Sequence, residues 1–209
     1  MLNYRLNFSS TENALIKLGI SIFSVKEFSK IFKVRQSTAK SFLARNSRRV
    51  GSHISRLKRG VYAFSLNPPT KFEIANRLYR PSYISFETAL SYYNIIPEIV
   101  YVVTSVTTKR TKEFSAQNSV FKYYKIKKRL FFGYQPQMVK GKTILVAEKE
   151  KALLDYIYFL SLKKLLFNDR LDLSKIDTKR LGYYVNYFKK NIKKNRAFIN
   201  LIKKIYSKI

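Results

Sequence analysis

Apolar residues recur at helical spacing in three stretches near the start of the chain. Ala14, Leu15 and Leu18 share one face of a first helix, opened by Ser9 with Glu12 three residues on and closed at Gly19. Ser24 and Glu27 repeat that capping signature, and Val25, Phe28, Ile31 and Phe32 mark the inner face of a second helix ending near Lys33-Val34. A third helix opens at Ser37, turns Ala39, Phe42 and Leu43 inward, reaches Val50 and stops at Gly51 as a C′ glycine. The pattern then changes to short β-prone runs. Ile54–Leu57 and Val61–Phe64 flank Lys58-Arg59-Gly60, which predicts a hairpin with the glycine permitting a tight tip. Helix, helix, short turn, helix, hairpin is the order of a winged helix-turn-helix.

Pro68-Pro69 marks a boundary. Beyond it, Phe72, Ile74, Ala75 and Leu78 predict a helix ending before Pro81, and Ser85 caps another that carries Phe86, Ala89, Leu90 and Tyr93. Residues 99–107 are β-branched and read as a buried strand; 119–126 and Thr143–Val146 read as a second and a third. From Glu148 a helix carries Ala152, Leu153, Tyr156, Ile157 and Leu160. Two Lys-rich helices follow, over 178–189 behind the cap Asp177 and over 195–207 with Phe198, Ile199, Ile202, Ile205 and Tyr206 inward. The expected fold class is α+β: a winged helix-turn-helix over 1–67, then an α/β C-terminal domain over 68–209. That domain has a small mixed sheet (core 83–160) and a basic helical end over 161–209. No internal repeat or low-complexity tract interrupts this order.

Composition fits a folded chain: 209 residues with 46% apolar content suffice for a real core, and 15% aromatic residues argue against a disordered polyelectrolyte. The absence of cysteine removes disulfides and thiolate metal sites. No stretch is long and apolar enough for a transmembrane helix, and the opening MLNYRLNFSS lacks the apolar core of a secretory signal, so no membrane partner and a cytoplasmic location are expected. The net charge is +30. Self-repulsion of that size points to a polyanionic partner, although a Lys-, Ile- and Asn-rich composition also arises from AT-rich coding. Placement has to decide. The acids are fewest where the winged helix is expected: residues 1–67 hold 13 basic and 2 acidic side chains.

From Lys26 to Arg59 there are eleven Lys or Arg residues and one acid, Glu27. In a helix-turn-helix the second helix of the pair enters the major groove. Here Thr38, Lys40, Ser41 and Arg45 turn outward, with Arg48 and Arg49 at the helix end, a mixture of hydroxyl groups and cations suited to base edges and phosphates. Arg35, Gln36 and Ser37 stand where helix N-terminal N–H groups favour a phosphate. Arg56, Lys58 and Arg59 at the hairpin tip reach for the backbone or minor groove. The alternative for all of them is a solvated helix face and loop. The expected partner is double-stranded DNA.

Catalytic constellations are thin. One histidine, His53, cannot by itself make a metal site or a Ser-His-Asp relay. Glu148 and Glu150 at a helix start, with Asp155 further on, are the only carboxylate group that a metal-dependent nuclease would use, against the plainer reading of acids at a helix N-terminus. Asp177-Thr178-Lys179 reads as a cap, and the six glycines form no phosphate loop. Neither enzyme activity, metal nor cofactor is expected.

Four blocks make the reading more specific: YISFETALSYYNIIPE (83–98), VTSVTTKRTKEF (103–114), FKYYKIKKRLFFGY (121–134) and ILVAEKEKALLDYIY (144–158), preceded by RLKRGVYAF (56–64). In this order they resemble the AbiEi family of antitoxins from type IV, abortive-infection toxin–antitoxin systems, over residues 20–160. The resemblance implies a winged-helix repressor domain that binds inverted repeats upstream of its own operon. It also implies a C-terminal domain that counters a nucleotidyltransferase-like toxin without a stable complex. Positions matching the family's most recognisable ones are Ser105, Thr107, Thr108, Lys109, Arg110, Thr111 and Lys112, with Lys151 and Asp155. Where the family pattern has a small polar residue and a proline before Glu-Lys-Ala-Leu-Leu-Asp, this chain has Glu148-Lys149. Lys109, Arg110 and Lys112, and the basic C-terminal helices, make RNA the alternative partner.

Overall fold

The computed structural model describes residues 6–192 and 195–208. The first five residues, part of the stretch read above as no secretory signal, lie outside the described residues. The chain divides into two compact units: one runs to Leu78 and takes in Ser115–Asn118, the other comprises Tyr79–Phe114 and the chain from Ser119 on. The division thus falls after the helix that follows Pro68-Pro69. That helix is tied to the first unit because Ser21 donates to Glu73, and Arg77 pairs with Glu27.

The first unit runs α1 (Phe8–Lys17), β1 (Ile22–Ser24), α2 (Val25–Ile31), α3 (Gln36–Asn46), β2 (Ile54–Lys58), β3 (Val61–Phe64) and α4 (Lys71–Leu78). Its sheet has the order β1-β3-β2, with both pairings antiparallel. β1 is too short to show periodicity in the sequence. Leu15, Phe23, Phe28, Ala39, Phe42, Leu43, Ile54, Tyr62 and Phe64 form one core. Phe28 sits at its centre, 5.6 Å from the Phe23 ring and 5.7 Å from that of Phe42; each buried ring contributes roughly 1.5–3 kcal/mol.

The caps differ from expectation in two places. Asn7, not Ser9, caps α1, accepting from the Ser9 N–H at 3.0 Å. Glu12 turns instead to His53, taking its backbone N–H at 3.3 Å and approaching its Nδ1 at 3.0 Å. α3 begins at Gln36 with Arg35 at the cap position and no side-chain cap, so Ser37 lies exposed in the first turn. It ends at Asn46, whose buried amide donates to the Phe42 carbonyl at 2.8 Å. Gly51, at φ +74°, serves the turn into the hairpin and not the helix end. The capping box of α2 is present in both directions, Ser24 to Glu27 and back.

The second unit holds a six-stranded mixed sheet in the order β6-β7-β5-β4-β9-β8. Its strands are β4 (Ser82–Ile84), β5 (Val102–Thr107), β6 (Lys112–Ala116), β7 (Ser119–Lys125), β8 (Tyr134–Val139) and β9 (Lys142–Ala147). β5 runs antiparallel to β4 and parallel to β7, and β4 runs parallel to β9. The strand expected from residue 99 starts at Val102, and Ile99 and Tyr101 are exposed. β6 and β8 are edge strands. Pro136 in β8 is tolerated because an edge strand has one unpaired side.

α5 (Phe86–Tyr92) and α6 (Lys149–Ser161) pack together, and α7 (Thr178–Asn191) and α8 (Arg196–Tyr206) both pack on α6. Every residue from Glu150 to Ile157 is buried. A helix covered on all sides is a core helix. Asp177 caps α7 through the Lys179 and Arg180 N–H groups at 2.9 and 3.0 Å. Asn195 caps α8.

Candidate nucleic-acid interface

Helix α3 advances about 100° per residue. Its buried residues, Ala39, Phe42, Leu43 and Asn46, therefore fix one inner face. Ser37, Ser41 and Ala44 point directly away from it, and Lys40 and Arg45 stand on opposite flanks, about 140° apart by the same geometry. Thr38 lies beside Arg45. All of these are exposed, as are Arg35, Gln36, Arg48 and Arg49. The centre of the outer face is small and hydroxylated and its borders are cationic. That allows close approach to a groove floor, with the cations on the flanks within reach of base edges and phosphates. Arg49 also lies against the first helix, its guanidinium 4.9 Å from the Phe8 ring.

The β2–β3 hairpin turns through Arg59-Gly60, with Gly60 at φ +79°. The pairing register shifts between Arg56 and Lys58. The extra residue, Leu57, is buried, while Arg56 and Arg59 are exposed. Lys58 departs from the expected role: its ammonium donates to the Leu78 carbonyl at the end of α4, where a cation meets unpaired carbonyls and the negative end of the helix dipole. It fastens α4 to the hairpin and is not a free cation. Helix α3 and the hairpin grow from one core, since Ala39, Phe42 and Leu43 pack in the same cluster as Ile54, Tyr62 and Phe64.

None of the first unit's carboxylates stands on these two elements. Glu12 is held by His53, and Glu73 by Ser21. Glu27 is held by Arg77 and the α2 N-terminus. Burial pushes the Glu27 carboxyl up, but the Arg77 hydrogen bond and the capping bonds outweigh it and hold it at about 2. His53 is tied to Glu12 through both its backbone N–H and its ring.

The second unit centres on a polar cluster that is sealed from solvent. Lys151 and Asp155, one turn apart on α6, are ion-paired and fully buried. Asp155 also accepts from Tyr83 at 3.0 Å and from Ser85 at 2.9 Å. Lys151 donates to the Tyr83 oxygen at 2.7 Å and lies 5.2 Å from each of the Tyr83, Phe132 and Phe188 rings. Burial pushes Asp155 up and Lys151 down, each opposed by the other's charge. Gly133, at φ +66°, lets the chain pass close by: a Cβ there would lie 3.0 Å from Lys151 Cγ. The Ser85 hydroxyl is thus committed to Asp155 and makes no cap bond to α5. Sequence reasoning missed Tyr83 and Ser85, which lie some seventy residues from Asp155.

The 105–112 block splits. Ser105 and Thr107 are interior, Thr107 donating to the Pro81 carbonyl at 2.7 Å. Thr108 is half-buried, and Lys109, Arg110, Thr111 and Lys112 are exposed. Lys109 lies 5.5 Å from the Tyr79 ring and Lys112 5.0 Å from that of Phe114.

The carboxylates considered for a nuclease are not brought together. Glu148 accepts from Tyr184 at 2.6 Å, Glu150 accepts the Asp177 N–H at 3.0 Å, and Asp155 belongs to the buried pair. Among the described residues no three His, Asp or Glu side chains group closely enough to hold a metal ion, and no helix is long and apolar enough to cross a membrane. Comparison with protein families and with curated protein sequences finds no match for this chain.

Proposed function

We propose that this chain is a DNA-binding autorepressor and antitoxin of the AbiEi type. In this reading the first unit is a winged helix-turn-helix, with α3 the recognition helix and the β2–β3 hairpin the wing. The observation that carries the reading is the cationic, acid-free outer surface of α3 and the hairpin, both rooted in one core. Arg35, Lys40, Arg45, Arg48, Arg56 and Arg59 serve phosphates and base edges. Ser37, Thr38 and Ser41 supply hydroxyls at the groove floor. The partner is operator DNA carrying inverted repeats. The second unit, which carries the 103–114 and 144–158 blocks, serves to counter a nucleotidyltransferase-like toxin in the cytoplasm without a stable complex.

The test is binding of the full chain to duplex DNA from upstream of its own gene, over a salt series. Six phosphate contacts give a slope of log affinity against log salt of about −5. Lys40→Ala or Arg45→Ala is expected to change which sequence is preferred, and Arg59→Ala to weaken all sequences alike. A slope near zero, or affinity indifferent to all three substitutions, would refute the reading.

A further inference from the structure

We propose that α7 and the segment 127–132 of the second unit form a binding surface for single-stranded nucleic acid, distinct from the duplex-binding face proposed for α3. The buried residues of α7 are Leu181, Val185 and Phe188. With about 100° per residue, the face opposite them is Lys179, Tyr183, Asn186 and Lys190, with Tyr187 on its edge. Tyr183 is 69% exposed and Tyr187 37%. Leaving two phenol rings in water on an outer helix face forfeits the burial that tyrosines ordinarily gain. Residues 127–132 adjoin this face through Phe132, whose ring lies edge-on to that of Tyr187 at 4.8 Å. Lys127, Lys128 and Arg129 of that segment are all exposed.

Neither 127–132 nor 178–192 contains a single Asp or Glu. The surface therefore pairs exposed rings with cations, and the acid that reaches α7 from outside these segments, Glu148, is taken up by Tyr184 and Arg180. Unpaired bases stack on aromatic rings whatever their sequence, while lysines and arginines track the phosphates. A duplex hides its bases and gives such rings nothing to stack on. An acidic protein partner would bury the same rings, as tyrosines do at many interfaces; failure of both single strands to bind is the result that points to it and overturns the proposal. The complementary charge and the ring together select a single strand over a duplex.

The test uses the full chain carrying Lys40→Ala, Arg45→Ala and Arg59→Ala, which weakens the α3 and hairpin surface and keeps this test separate from that of the proposed operator binding. Fluorescence anisotropy is measured with 12-nucleotide oligo-rU, oligo-dT and a duplex of equal length. Stacking of one base on one ring corresponds to a loss of about 5- to 150-fold on Tyr183→Ala, with Tyr183→Phe retaining binding. Tyr183 is largely exposed, so its replacement leaves the core intact. Lys128→Ala with Arg129→Ala should make the salt slope shallower by about 1.4. Preference for rU over dT assigns RNA, and equal affinity assigns single strands of either sugar; both uphold the surface. Equal affinity of the Tyr183→Ala variant and its parent, or tighter binding of the duplex than of either single strand, overturns it.

Discussion

Asp155→Asn should cost the second unit far more than its small change in shape implies. The carboxylate has three donors, Lys151, Tyr83 and Ser85, and its side chain has no solvent exposure. An amide presents one accepting oxygen and one NH2 group, so at least one of those donors meets another donor. The Lys151 ammonium also loses its counter-charge inside a box of three rings. Breaking a buried pair from one side costs about 3–5 kcal/mol, mostly the desolvated charge left behind. For a unit of this size that corresponds to a fall in Tm on the order of 10–20 °C. Scanning calorimetry of the full chain at neutral pH reads it directly. The control is Glu113→Gln, which removes an exposed pair with Lys122 and should cost less than about 1 kcal/mol. Lys151→Met with Asp155→Leu, combined with Tyr83→Phe and Ser85→Ala so that no buried hydroxyl is left unpaired, removes both charges and should recover much of the loss. If Asp155→Asn matches the Glu113 control, or the combined variant is as unstable as the single losses added, the buried pair does not hold the unit together.

Two further outcomes follow from the first unit. Glu27 is held at about 2 against an ordinary 4.5. A carboxyl held low contributes stability that is complete above 4.5 and disappears as the pH falls through 2. Because Glu27 is partly exposed, screening limits this to less than about 1 kcal/mol. Acid should therefore lower the first unit's melting temperature more in the wild type than in Arg77→Ala, and identical acid profiles would refute the assignment. Lys58→Ala, by contrast, should leave the salt dependence of duplex binding unchanged, because its ammonium is committed to the Leu78 carbonyl. Arg59→Ala should make the slope shallower by about 0.9; the reverse order of effects would place Lys58 on the DNA.

How much could be read from the residues depends on how far each interaction reaches along the chain. The α2 capping box spans three residues and was legible as it stands. The inner face of α3 was legible too, because Ala39, Phe42 and Leu43 repeat at helical spacing. At α1 the local signal misled. Ser9 with Glu12 looked complete, but His53, 41 residues away, draws Glu12 off and leaves Asn7 as the cap. The edge strands β6 and β8 escaped notice because edges bury little and so lack apolar alternation, and β8 also carries Pro136.

The sequence by itself determined the helices and the hairpin of the first unit, the outward cations of α3, and the apolar face of α6. Each is set by contacts within about a turn or by a run of apolar residues. Only the tertiary structure decided that Lys58 belongs to a helix end and that Lys151 and Asp155 are interior. An i, i+4 Lys–Asp pair reads as an ordinary surface bridge. It becomes a buried one only because strand β4 brings Tyr83 beneath it, the chain delivers Ser85 to the same carboxylate, and rings from residues 132 and 188 close over the ammonium. No local pattern encodes that, since solvent is excluded by residues distant in the chain, and exclusion of solvent is what turns a weak exposed pair into a costly and indispensable one.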